Sequence, residues 1–350
     1  MASKSGNPFE RAWRRLAEEA CAAWPAPYAR ALRRYLAQPG KRLRPALFAL
    51  GCRGAAGRMP PALYRVAAAL ELLHAFVLVH DDIIDRDDRR RGGPSLPALL
   101  DASAPAAGRG RGADLALVFG DELYALAIRA ILEARVPPAC LRAALRLLAA
   151  AALETGRGQH DELLLAAQPL ARVRRAAILK VYDRKTAHYS AALPLAMGAV
   201  LAGAPPRTVS ALAAWGLRVG RAYQIGNDLQ AIMAAQRGDF REGKRTLALY
   251  YAWRQAPARA RRELERLYGH RTRGSADCRR AAAILAESGG VDLARRDQAR
   301  LLAAARRGLA RLPVRPSARA GLAKILDGLG GERARRPGLR STAGRRTGPG

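Results

Sequence analysis

The chain has 350 residues, with 61 Lys plus Arg against 29 Asp plus Glu for a formal net charge of +32. Half of its residues are hydrophobic, 26% are charged and only 5% are aromatic, a balance that suits one large or two small globular domains. Sparse β-branched residues exclude a β-rich fold, and the charge excludes an acidic surface, which leaves phosphorylated substrates, anionic membranes or nucleic acid as partners.

Helical periodicity begins at once. PFERAWRRLAEEACAAW sets Phe9, Trp13, Leu16 and Ala20 on one stripe, with Arg and Glu opposite. This start has no apolar core of a signal peptide and turns acidic early. Further helices are predicted over residues 45–54, 61–85, 114–134 and 138–155, then over 170–202, 208–235, 257–268, 278–287 and 292–312. Pro45, Pro61, Pro138 and Pro257 stand where a first helical turn tolerates a missing donor, and short Gly/Pro stretches such as 90–95 and 203–207 break the pattern. Residues 190–206 are weakly polar but carry Pro194, which reads as a buried helix rather than an inserted membrane span. The expectation is an all-α, single-domain protein over residues 1–330, of roughly a dozen helices. Residues 331–350, with six Arg and Leu339 as the one sizeable apolar side chain, read as a disordered basic tail. Cys21, Cys52, Cys140 and Cys278 lie far apart, which argues against a disulfide scaffold or zinc site and fits a reducing cytoplasm.

The chemistry concentrates in ELLHAFVLVHDDIIDRDDRRRGGPS, residues 71–95. On a helix Asp81 and Asp85 share a face, with Asp82 about 100° round. Three acids at the end of an apolar helix repel one another unless a cation binds, and Mg²⁺ characteristically bridges one or two carboxylates to substrate phosphates. Arg89, Arg90 and Arg91 follow, a cluster suited to diphosphate oxygens. The plainer alternative is a solvated helix end with internal ion pairs, and Asp87 and Asp88 are read as pairing with neighbouring Arg. Only six of the basic residues are Lys, and three of these (Lys41, Lys185 and Lys244) fall in short polar segments just ahead of helices or beside Thr186. Asn227 and Asp228 lie in an apolar helical stretch, whereas Trp215 and Tyr223 are read as core and His80 as an ordinary helix residue.

In combination these segments resemble the trans-isoprenyl diphosphate synthases, or polyprenyl synthetases, over about residues 35–255. GKRLRP at 40–45, ELLHAFVLVHDDIID followed by RRG, GDELYALA at 120–127, GQHDEL at 158–163, KTA at 185–187, YQIGND at 223–228 and GKRT at 243–246 stand in the family's order. The resemblance implies an all-α fold around a deep central cavity, Mg²⁺-dependent head-to-tail prenyl transfer and a homodimer. It implies that Asp81 and Asp85, helped by Asp82, hold Mg²⁺ with Asp228, and that Arg90, Lys185, Thr186, Gln224 and Lys244 grip an allylic diphosphate. Lys41, Arg44, His74 and Arg91 are then the holders of isopentenyl diphosphate. Nucleic acid is not an expected partner, because Arg is spread along the chain rather than gathered in a recognised module.

The chain departs from the family at its second acidic motif, where Asn227 and Ala231 replace two of three acids and Asp228 remains. That departure supports a second reading, a non-catalytic or weakly active subunit that regulates a partner synthase. Phe76 and Val77, about one turn before Asp81, face the path of a growing chain. An aromatic residue five positions before the first Asp resembles the medium-chain pattern, which implies a fifteen- to twenty-carbon product with twenty favoured.

Overall fold

The structure, a computed structural model, describes residues 7–103, 110–234, 237–269 and 274–331. Its helices are α1 (Pro8–Cys21), α2 (Ala26–Leu36), α3 (Leu43–Ala56), α4 (Tyr64–Ile84), α5 (Leu96–Ser103), α6 (Gly112–Leu132), α7 (Pro138–Ala166) and α8 (Arg175–Val181). A π-helix (Tyr182–Ala192) leads into α9 (Leu193–Leu201), α10 (Pro206–Met233), α11 (Arg237–Arg241) and α12 (Leu247–Gln255). The chain closes with α13 (Ala258–Gly269), α14 (Ser275–Glu287), α15 (Gly290–Leu309) and α16 (Pro316–Gly331). The expected all-α class holds. Gly331 still belongs to α16, so the predicted tail does not begin there; residues 332–350 lie outside the described residues.

Local chemistry sets the ends of these elements. The Asn7 side chain accepts the Phe9 N–H at 3.0 Å and Pro8 fills the first turn of α1. Thr246 caps α12 by accepting the Leu249 N–H at 3.2 Å, which fixes the loop carrying Lys244. Every side chain from Val66 to Leu73 of α4 is buried, and this helix packs on α1, α3 and α6. Pro61–Ile84 is long and apolar enough to cross a membrane, and 61% of its apolar window is buried inside the protein.

Three departures from the predicted elements place functional residues. The helix predicted to stop at 155 runs on to Ala166, because Gly158 is a packing glycine rather than a breaker. A Cβ there would lie 2.2 Å from the Lys185 backbone nitrogen, so only glycine allows α7 to approach so closely. The single helix predicted over 170–202 is instead α8, the π-helix and α9, and the widened turns carry Lys185 and Thr186. Residues 90–95, read as a breaker, form a two-stranded ribbon in which Arg89–Arg90 pairs with Gly93–Pro94. Its turn residues Arg91 and Gly92 have φ of 51° and 82°, the left-handed pair of a tight hairpin.

Candidate active site

α4, the ribbon, α7, the π-helix, α10 and the loop before α12 enclose a cavity of about 720 Å³. It is lined by Lys41, Arg44, His74, Asp81, Arg90 and Arg91 on one side and by Lys185, Thr186, Gln224, Asn227, Asp239 and Lys244 on the other. Residues separated by up to two hundred positions thus share one chamber.

Two lysines bridge its acids. Lys185 Nζ lies 3.5 Å from Asp81 Oδ1 and also pairs with Glu162. Lys244 Nζ donates to Asp85 Oδ2 at 3.1 Å and to Asp239 Oδ1 at 2.9 Å. Burial works against both ammoniums, but Asp81 and Glu162 hold Lys185 above its ordinary pKa, and Asp239, Glu162 and Asp85 hold Lys244 well above it. Burial likewise opposes the Asp239 carboxylate, and Lys244 outweighs it to keep that acid below its usual range.

Two predicted metal-site acids point elsewhere. Asp82, the third of the first cluster, turns away from the cavity: its side chain is buried and accepts from Arg90 Nε at 2.5 Å. Burial pushes its carboxyl up to about 7 while Arg90 draws it down. The rotation of 100° per helical residue that separates Asp82 from Asp81 is the physical reason. Asp228 is buried as well, with Gln224 Nε2 donating to its Oδ1 at 2.7 Å and Tyr182 donating to its Oδ2. Gln224 in turn accepts from Thr186 Oγ1 at 2.9 Å, so Asp228 orients two cavity residues and is not placed to ligate a metal. Arg89 also leaves the cluster, bonding the Gly92 carbonyl at 2.9 Å on the exposed side.

Burial, with Asp239 nearby, pushes Asp228 up to about 7. A raised folded-state pKa gives stability at low pH that is lost as pH rises through about 7. Asp228→Asn removes that titration. The fall in melting temperature between about pH 5 and pH 8 should therefore shrink in the variant, checked by thermal melts across that range. An undiminished slope would show that the carboxyl titrates normally.

On the opposite wall the Arg44 guanidinium sits 4.6 Å from the Tyr189 ring and donates to Ser190 Oγ at 2.6 Å. Lys41 Nζ lies 5.8 Å from the Tyr223 ring, so Tyr223 faces the cavity rather than the core, whereas Trp215 is core as read. His74 is held well below its ordinary pKa by burial and by Arg44 and Arg91, and its buried Nδ1 has no hydrogen-bond partner. Burial and the other guanidiniums also lower Arg91, although Glu71 pulls the other way. Such a wall of crowded cations gains most from an anion.

A second, largely apolar cavity of about 810 Å³ adjoins the first at Val77 and Asp81 and runs down between α4 and α7. Phe76 and Val77 line it, as predicted, with Leu70, Leu73, Tyr124, Leu148 and Leu193. Sequence reasoning missed Glu162 and Asp239 as site residues. Glu162 was legible only as an acid inside the quoted segment GQHDEL, and Asp239 stands four residues ahead of the quoted GKRT.

Among the described residues no three His, Cys, Asp or Glu side chains could hold a metal ion by themselves. Asp81 and Asp85 nevertheless offer hard oxygens one turn apart beside a cationic wall. This donor set suits a divalent cation whose remaining ligands come from phosphate.

An all-α fold whose cationic cavity opens into an apolar tunnel defines a prenyltransferase. The sequence matches the polyprenyl synthetase family over residues 26–285, and the chain belongs to that family. It is 32% identical over 266 residues to the geranylfarnesyl diphosphate synthase of Aeropyrum pernix, covering 73% of this chain and 78% of that one. Identity is also 32% over 271 residues to a geranylgeranyl diphosphate synthase of Mycobacterium tuberculosis, across 73% of this chain and 71% of that one. The polyprenyl synthase of Caulobacter crescentus, solved with calcium and isoprenyl diphosphate, superposes with a TM-score of 0.80 at 28% identity, covering 95% of this chain and 100% of that one.

Proposed function

We propose that this prenyltransferase condenses isopentenyl diphosphate head-to-tail with an allylic diphosphate, in the cytoplasm and with Mg²⁺, to a product of fifteen to twenty carbons. The observation that carries this reading is the meeting of the two cavities at Asp81, where a charged head and an apolar tail would part company. Lys185, Thr186, Gln224 and Lys244 take the allylic diphosphate, and Lys41, Arg44, His74 and Arg91 take isopentenyl diphosphate. Asp81 and Asp85 would hold Mg²⁺, which would supply charge neutralisation on the diphosphate. As the allylic C–O bond breaks, the fixed ammoniums of Lys185 and Lys244 stabilise the charge that gathers on the leaving oxygen. The apolar walls of Val77 and Phe76 exclude water from the allylic cation until the isopentenyl double bond attacks it, and the released diphosphate then takes the proton that the new cation loses to restore a double bond. Relatives named farnesyl and geranylgeranyl diphosphate synthases support the product class, and one named geranylfarnesyl diphosphate synthase stands one five-carbon unit beyond it. Four cysteines set far apart in the sequence, Cys21, Cys52, Cys140 and Cys278, support a reducing compartment. Incubation with Mg²⁺, isopentenyl diphosphate and allylic diphosphates of each length, with products weighed by mass spectrometry, tests the reading. Absence of any elongated product would refute it.

The altered second motif favours the other reading, a regulatory subunit. Asn227 lines the cavity, whereas Ala231 is buried in a separate small pocket among Ile232, Asp239, Phe240 and Lys244. Asn227→Asp alone is therefore the informative change. In an active enzyme it should lower the Mg²⁺ concentration for half-maximal rate by about threefold to tenfold, the effect of one added carboxylate ligand. Wild type and variant both inert, with an added partner synthase changing its product, would decide for the subunit.

We also propose a homodimer formed through α6 and α7. Their outer faces expose Leu117, Val118, Leu153, Leu163 and Leu164. The exposed charges differ in sign, with Asp114 and Asp121 on α6 against Arg142, Arg146 and Arg157 on α7. A twofold axis that sets α6 of one copy on α7 of the other would match both apolar and charged groups. Val118→Arg should shift the protein to monomer in sedimentation velocity. A wild-type monomer, or a dimer indifferent to this change, would remove the proposal.

A further inference from the structure

Resting on the prenyl-transfer reading above, we infer that Tyr124 of α6 sets product length by locking Phe76 across the apolar tunnel. Phe76 is not the floor of that tunnel. The lining residues run along α4 from Asp81 back to Leu70, which at 1.5 Å per residue is about 16 Å, and Phe76 stands only about 7 Å along it. Below Phe76 the cavity continues between Leu70, Leu73, Leu148 and Leu193. A phenyl ring on one helix, free to change rotamer, would be a poor barrier to a chain heading into that lower space.

Phe76 is not free to turn. Its ring centroid lies 5.0 Å from that of Tyr124 and 4.6 Å from that of His80, and all three rings line the tunnel. α6 is brought onto the cluster by Gly120, one turn before Tyr124: a Cβ at Gly120 would lie 2.6 Å from His80 Nε2. Asp121 Oδ1 stands 3.5 Å from the same nitrogen. Three consecutive features of α6 thus seat the rings: a missing side chain, an acid and the tyrosine. The facing wall on α7 sets the small residues Ala149, Ala152 and Gly156 beside bulkier ones such as Leu148 and Leu153, and a Cβ at Gly156 would meet nothing within 4 Å. The three packed rings narrow the tunnel from the opposite side. Phe76 supplies the surface that the chain end meets, and Tyr124 is the residue that keeps it there.

The test compares wild type, Tyr124→Phe, Tyr124→Ala, Phe76→Ala and the double variant Tyr124→Ala/Phe76→Ala. Each is assayed for product mass and titrated with fifteen-, twenty- and twenty-five-carbon prenyl diphosphates. Tyr124→Ala should lengthen the main product by at least one five-carbon unit. It should also raise the affinity for the twenty-five-carbon ligand relative to the fifteen-carbon one by about tenfold. Tyr124→Phe keeps the ring and should match wild type. The double variant should resemble either alanine variant rather than their sum, because rings acting as one unit are not additive. Unchanged products and binding in a folded Tyr124→Ala variant would overturn the inference. So would additive single effects. If wild type makes no product but the affinity shift is seen, the prenyl-transfer reading and the product-length role fall together, while Tyr124 still limits how far a prenyl chain enters the tunnel.

Discussion

Asp81→Ala should lower kcat by at least about a hundredfold, the scale of losing one strong electrostatic stabiliser at a reacting centre. Asp81 is the one acid that borders both cavities, so its carboxylate sits where head group and tail divide. Its partner Lys185 remains paired with Glu162 in the variant, which leaves no stranded ammonium. The fold should survive, with an unchanged melting temperature. Steady-state kinetics beside a thermal melt check both halves, and near wild-type turnover would remove Asp81 from the chemistry.

Lys244→Met should damage both activity and stability. The substitution keeps an apolar stem but strips the counter-charge from Asp85, which is buried, and from Asp239, which is about a third exposed. Removing one partner of a buried pair costs about 3 kcal/mol, taken at the low end because Asp239 still reaches water. The sign with pH follows from Asp239. Lys244 depresses its pKa, so the stability it contributes is present above the ordinary carboxylate range and lost as pH falls through the depressed value. The gap in melting temperature between wild type and variant should be widest near neutral pH and close as pH falls below the ordinary carboxylate range. A gap that stays constant with pH would mean that lost packing, not charge, explains the damage. Turnover should fall by about a hundredfold as well, since the ammonium that faces the leaving diphosphate is gone.

Much of this was legible in the sequence. Helical periodicity and proline placement gave the all-α class, and the scarcity of lysine singled out Lys41, Lys185 and Lys244, all of which line the cavity. What escaped was anything decided by the angle about a helix axis or by contact between distant helices. Spacing puts Asp82 beside Asp81, but only packing shows that Arg90 has drawn it inward. Asp228 kept its place in the motif, yet Tyr182 and Gln224 occupy both its oxygens. The π-helix depends on how closely α7 approaches at Gly158, a distance that no local pattern encodes. Tyr124 looked like one residue of a helical segment until α6 was seen against α4.

The lysine bridges have a consequence for how an unliganded chamber behaves. Asp81, Asp85, Glu162 and Asp239 share two ammoniums, so these acids and bases satisfy one another before anything arrives. An anion alone must pull Lys185 and Lys244 from their carboxylates and strand those acids. A cation alone must displace the ammoniums and strand them instead. When both come together the partners simply change hands, and no charge is left without a neighbour. By linkage, each raises the affinity for the other. The chamber would thereby favour an anion and a cation arriving together over either by itself.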